Sequence, residues 1–176
     1  MKKGLLLINL GTPNAPSVRA VRARAYLREF LSDPRVIDLP GLIRFILLYA
    51  FILPFRPKQS AHAYQVIWTP EGSPLLTGSL ALTNKVQARL ADTHQVALGM
   101  RYGEPSLLQA LKTLETADEI PIIPLFPHYA SATTGSCLEW VSRYFSSKAI
   151  FPSLHIIRDF YQHPGFINAV SAQIKP

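Results

Sequence analysis

The run I-P-I-I-P-L-F-P-H-Y-A-S-A-T-T-G-S, Ile120 to Ser136, joins two kinds of chemistry that decide how the chain folds. Its first four residues are apolar and bounded by turn formers, which reads as a buried strand. Pro124 and Pro127 bracket the strand end. An imidazole, a phenol and three hydroxyls (Ser131, Thr133 and Thr134) then crowd in before Gly135. That composition suits the loop beyond the carboxyl end of a strand, where open α/β sheets place their ligands.

Upstream, Leu5 to Leu10 reads as another buried strand, closed by Gly11-Thr12-Pro13. Ser17 offers an N-cap to a helix through about Leu31, with Val18, Val21, Ala25 and Phe30 near one face and arginines, Arg24 among them, on the other. Thr77 or Ser79 predicts the start of a helix through Leu90, Val96 to Met100 a strand, and Ser106 to Ala117 a helix. Downstream come a helix from about Ser136 to Phe145, a strand at Leu154 to Arg158 and a helix after Pro164. Strand and helix alternate four times, and the strands are apolar on both faces. An α/β fold is therefore expected, a parallel sheet with helices on both faces.

A chain of 176 residues suffices for one domain with a sizeable core. With 48% hydrophobic and 16% charged residues it is not a disordered tail. Eighteen basic against eleven acidic side chains leave a formal +7, which favours anionic partners such as anionic lipid or a carboxylated small molecule. No recognition motif or aromatic-interleaved basic stripe accompanies the charge, so nucleic acid is not expected. The single cysteine, Cys137, excludes an intrachain disulfide and a CxxC metal pair, and fits a cytoplasmic setting. Met1-Lys2-Lys3 before Leu5 to Leu7 resembles a secretory leader only superficially, because the apolar stretch breaks at Asn9 to Pro13 without a clean cleavage pattern.

Leu42 to Phe55 breaks the rhythm: fourteen residues, apolar or aromatic apart from Arg44 and Pro54. That is short of the roughly 20 needed to cross a bilayer. It reads either as a core helix or as an exposed apolar lip beside a membrane, with Arg56 and Lys58 at the headgroups.

None of the five histidines is spaced for a metal site. His62, His94 and His163 read as surface or capping residues, and His155 as a partly buried strand residue. His128, at the strand end beside Tyr129, is the candidate to face a ligand. A second polar set comprises Arg56, Tyr64, Ser73, Arg101 and Tyr102, where an arginine fork and a phenol together suit a carboxylate. There is no G-x-G-x-x-G, phosphate loop or nucleophile elbow. A nucleotide- or phosphosugar-binding domain is therefore disfavoured.

Five ordered blocks carry a resemblance: L-L-L-I-N-L-G-T-P (Leu5 to Pro13), F-L-S-D-P-R-V-I-D (Phe30 to Asp38), G-S-P-L (Gly72 to Leu75), M-R-Y-G (Met100 to Gly103) and the stretch from Pro124 to Ser136. In this the chain resembles, from end to end, the amino-terminal half of the ferrochelatases, which insert ferrous iron into a porphyrin in haem synthesis. The resemblance implies two Rossmann-like lobes with the porphyrin between them, of which residues 1–176 would be the first, the second being absent. It implies that Leu10 faces the macrocycle where some relatives carry a tyrosine or methionine, which points to protoporphyrin IX rather than coproporphyrin. Arg56, Tyr64, Ser73, Arg101 and Tyr102 would contact the propionate side or line the pocket, with His128, Tyr129, Ser131 and Thr133 as a second stretch of lining.

The resemblance also makes ferrous iron a substrate, with no cofactor and no resident metal. No iron–sulfur cluster is expected, because Ser131 stands where cluster-bearing relatives have a cysteine. Leu42 to Phe55 would be the apolar lip facing a membrane, giving a cytoplasmic protein peripheral at its inner face. The family's proton-handling histidine, in S-x-H-G-x-P, and its glutamate do not occur in the chain, so no catalytic residue is assigned and little or no activity is expected of it alone. The other reading is a stand-alone porphyrin- or haem-binding module. In either case the face meant for a second lobe should be apolar and prone to dimerise.

Overall fold

The computed structural model describes residues 2–22 and 26–174. Four parallel strands, β1 (Lys3–Gly11), β2 (His94–Tyr102), β3 (Glu119–Pro124) and β4 (Ser153–Ile156), form one sheet in the order β2-β1-β3-β4. Side chains of β1 alternate between two cores, as the two-residue period of a strand requires. Leu6 and Ile8 pack with the helices α6 (Leu107–Thr113) and α7 (Ser136–Ser146), whereas Leu5 and Leu7 pack beneath α5 (Pro74–Leu90). The expected α/β fold, with helices on both faces of a parallel sheet, is the one observed.

A third core lies beyond the carboxyl ends of the strands. Here α1 (Val18–Arg22) and α2 (Leu27–Ser32) meet a continuous helical run made of α3 (Gly41–Ile46), a π-helical stretch (Leu47–Ile52) and α4 (Leu53–Ile67). Val21, Tyr26, Leu27, Leu31, Leu48, Leu53, Ala61 and Tyr102 are its buried members. Pro54 cannot donate to the carbonyl of Ala50 and its ring crowds that oxygen, and the widened π turn falls on this stretch.

Several boundaries differ from the sequence reading. Ser17 does cap α1, its Oγ accepting from the Ala20 N–H at 3.2 Å, but the expected single helix is two short ones, and Arg24 and Ala25 lie outside the described residues. Helix α5 begins at Pro74 rather than at Thr77 or Ser79, because a proline preset to helical φ occupies its first turn after Ser73. Helix α6 stops at Thr113, short of Ala117, although the expected Ser106 cap forms a full capping box with Gln109. The core-helix reading of Leu42 to Phe55 fails: Leu42, Phe45, Phe51 and Phe55 are 73%, 57%, 62% and 74% exposed.

The last strand also departs from the expected pattern. β4 ends at Ile156, leaving Arg158 in the following loop, and His155 is exposed with Nε2 3.4 Å from Glu119 Oε1. Its outer faces are uncovered, and α8 (Pro164–Ile174) has no buried residue. Ile156, Ile157, Ile167 and Ile174 are accordingly exposed.

Gly11 closes β1 at φ +109°, where a Cβ would lie 1.7 Å from the Tyr102 carbonyl oxygen. Gly78, inside α5, has nothing within 4 Å. Gly11→Ala should therefore lower stability by about 3 kcal/mol or more, from left-handed strain plus overlap, while Gly78→Ala should raise it by about 0.5–1 kcal/mol. Urea unfolding of both variants checks the pair, and equal effects of one sign would contradict it.

Candidate functional site

Because all four strands are parallel, their carboxyl ends share one rim of the sheet, the place where such folds put ligands. Leu10 leaves β1 there, Arg101 and Tyr102 leave β2, and the run after Pro124 leaves β3. Leu10, Tyr64 and Tyr102 come together in the third core, with Tyr26 and Phe30. The Phe30 and Tyr102 rings meet edge to face at 5.2 Å, and the Tyr64 hydroxyl donates to that of Tyr26 at 2.7 Å. Burial pushes the hydroxyl pKa of Tyr64 well above the usual phenol range, so it stays protonated.

At the centre of the rim sits a residue that sequence reasoning missed. Asp33 follows α2, its side chain only 5% exposed. Its Oδ2 accepts from Ser136 Oγ at 2.5 Å, Tyr102 OH at 2.8 Å and Arg101 Nη2 at 2.8 Å, and its Oδ1 from the Arg35 N–H at 2.8 Å. Arg101 Nε also donates to Ser136 Oγ at 2.7 Å, and Nη1 lies 3.5 Å from Glu29. The fork and phenol thus do hold a carboxylate, one supplied by the chain itself. Asp33 belongs to the block Phe30 to Asp38, but it lies 68 residues from Arg101, a separation that no local spacing rule reads.

The electrostatics follow from this arrangement. Burial alone would raise the Asp33 pKa, but the hydrogen bonds from Ser136, the Arg35 backbone and Tyr102, with the Arg101 charge, hold it below the usual carboxylate range. For Glu29 burial wins over Arg101, so its pKa is raised. Burial likewise raises the Tyr102 hydroxyl. Cys137, buried behind the rim, has its thiol pushed up to about 12 by burial, which leaves it unreactive at neutral pH.

The remaining candidates occupy the next corner. The hydroxyl run is a π-helical turn, Ser131–Gly135, leading directly into α7. His128 stacks on Tyr161 at 4.7 Å, and the Arg158 guanidinium lies 4.3 Å over the Tyr129 ring. The Phe160 and Tyr161 N–H groups both donate to Pro127 O at 3.0 Å, which ties the loops after β3 and β4 together. Ser131 Oγ accepts from Arg35 Nη1 at 3.2 Å, linking this corner to the Asp33 loop, while the Thr133 hydroxyl donates to Ala130 O at 3.4 Å. Arg56 and Ser73 stand apart. Arg56 is exposed on α4 and Ser73 is buried before α5, and among the described residues neither side chain hydrogen-bonds to the others.

A cavity of about 310 Å³ opens beside the cluster, lined by Glu29, Asp33, Arg101, Ser136, Glu139 and Trp140 among others. Among the described residues no group of three or more His, Cys, Asp or Glu side chains is arranged to hold a metal ion.

The sequence matches the family described as Ferrochelatase over residues 2–176. It is 53% identical over 176 residues to the Ferrochelatase of Legionella pneumophila (strain Corby), covering 100% of this chain and 53% of that protein. It is 51% identical over 175 residues to the Ferrochelatase of Coxiella burnetii (strain RSA 493 / Nine Mile phase I), covering 98% and 48% respectively. The chain spans about half the length of the curated relatives it matches.

A folded-state pKa below the unfolded value means that Asp33 stabilises the fold fully above about pH 4, and that this contribution is lost as pH falls through the lowered folded value. Asp33→Asn should cost about 3 kcal/mol at neutral pH, by leaving Arg101 short of its buried counter-charge. It should also flatten the acid limb of stability. Urea unfolding at a series of pH values measures both, and an unchanged acid slope in the variant would refute the assignment.

Proposed function

The chain belongs to the ferrochelatase family, and on that premise we propose that it forms one lobe and one wall of a porphyrin cleft, in an enzyme that inserts ferrous iron into protoporphyrin IX to give protohaem. The observation that carries this reading is the meeting of the half-buried Leu10 and Tyr64 over the buried Tyr102 at the strand ends, beneath exposed apolar helices. An apolar and aromatic wall suits a flat macrocycle, which offers dispersion contact over a wide face.

In this reading Leu10 faces the ring and offers iron no lone pair, so the metal meets only the pyrrole nitrogens from this side. Arg56 supplies an exposed cation for a propionate. Ser73 lines the pocket, and Arg101 and Tyr102 line it with donors committed to Asp33, which keeps their geometry constant whether or not substrate is bound. His128, Tyr129, Ser131 and Thr133 line the adjoining corner. Leu42 to Phe55 forms the lip, in peripheral contact with the inner face of a membrane, since no described helix is long and apolar enough to cross one.

Metal insertion requires the ring to be bent and two pyrrole protons to leave. The histidine and glutamate that the family resemblance gives this task are not among these 176 residues. The chain by itself therefore binds porphyrin without turning it over.

Titrating the purified chain with protoporphyrin should shift the Soret band. Arg56→Ala should weaken that binding about ten-fold, the worth of a charge-assisted hydrogen bond, with no change in unfolding midpoint. Addition of ferrous iron should give no product above the uncatalysed background. Turnover comparable to a full-length relative would sink the claim of inactivity, and an unshifted Soret band at micromolar porphyrin would sink the cleft assignment.

A further inference from the structure

The net charge is concentrated in one part of the molecule. Residues 10–28 contain Arg19, Arg22, Arg24 and Arg28 and no acid, and residues 39–70 contain Arg44, Arg56 and Lys58 and no acid. In the rest of the chain basic and acidic side chains are equal in number, so these two segments account for the whole formal +7.

The fold puts the described helices of both segments in one layer. Helix α1 packs on α4, which continues α3 and the π-helical stretch, and α2 packs against that stretch. The acids nearest to this layer do little to neutralise its surface. Asp33 is buried against Arg101 and the exposed Glu29 is paired with the same guanidinium at 3.5 Å, leaving Asp38 and Glu71 at the margins. Arg19, Arg56 and Lys58 are exposed, and the Arg28 guanidinium lies 5.6 Å from the Tyr49 ring centroid. The most exposed large apolar side chains of the layer, Leu42, Phe45, Phe51, Phe55 and Val66, belong to the same continuous helix as Arg56 and Lys58.

A hydrophobic protein partner would leave these cations uncompensated, and a nucleic acid would leave the apolar side chains in water. A bilayer with acidic headgroups satisfies both. We propose that this layer docks on anionic lipid bilayers, with its apolar side chains in the acyl boundary and its cations selecting a negatively charged surface. The proposal rests on the membrane contact of Leu42 to Phe55 proposed above and adds the headgroup chemistry that would direct it.

Co-sedimentation of the purified chain with phosphatidylcholine vesicles, with and without about 30 mol % phosphatidylglycerol, separates the two ideas. Binding should be much tighter to the anionic vesicles and should weaken as ionic strength rises from about 0.05 to about 0.5 M. Arg19→Gln with Lys58→Gln should reduce it on the order of twenty-fold, about five-fold per charge, with little effect on neutral vesicles. Phe45→Ser with Phe55→Ser should reduce binding to both. Circular dichroism should show that these surface variants remain folded. Equal affinity for the two vesicles would overturn the headgroup inference and leave the membrane contact standing. Binding to neither would overturn both and indicate a face covered by protein. Anionic binding indifferent to Arg19 and Lys58 would remove the selection from this layer, and indifference to Phe45 and Phe55 would reduce the docking to surface adsorption.

Discussion

The buried carboxylate of Asp33 is the constraint on which the rim of this molecule depends. It is withdrawn from water, and a charge so placed is tolerable only if partnered and hydrogen-bonded. Its partners come from the end of β2, the start of α7 and its own loop after α2, so satisfying one side chain fixes three separate pieces of chain. Arg101 adds a cation–π contact on Tyr102 at 4.4 Å and an ion pair toward Glu29, which tightens the same joint. If that joint loosens, the helical layer is held over the strand ends by apolar packing and by Arg35, which reaches Ser131 and Glu139.

This arrangement separates the groups that hold the rim together from those left exposed. Arg101 and Tyr102 resemble ligand-binding groups by type, yet their donors are directed into the protein. Arg56, His128 and Tyr129 are exposed. A wall whose polar groups are mutually satisfied can keep one shape in the presence or absence of a large apolar ligand, which is the condition for a preorganised cleft. The stacking of His128 on Tyr161 and of Arg158 on Tyr129 does the same for the neighbouring corner, locking the loop after β3 to the loop after β4.

The strands were legible in the sequence because β1 and β3 are continuous apolar runs, and only a sheet covered on both faces buries such runs. Helix starts were legible where a side chain caps, as at Ser17 and Ser106, and misplaced where a proline does the work, as at Pro74. His155 looked partly buried from its apolar neighbours, but β4 is an edge strand whose outer surface is left uncovered among the described residues. For Leu42 to Phe55 the pattern allowed a core helix or an exposed lip, because apolar composition reports what a segment avoids and not what it touches.

The sequence by itself determined the order of elements, the family and the kinds of side chain at the strand ends, since these are written in local periodicity and in short ordered motifs. Tertiary structure alone decided which of those side chains spend their hydrogen bonds internally and which remain exposed. The reason is physical: a carboxylate and a guanidinium 68 positions apart become partners only when helix α2 packs over the carboxyl end of β2. Burial likewise belongs to a neighbourhood in space, so the apolar, basic layer becomes a surface only after the helices have packed.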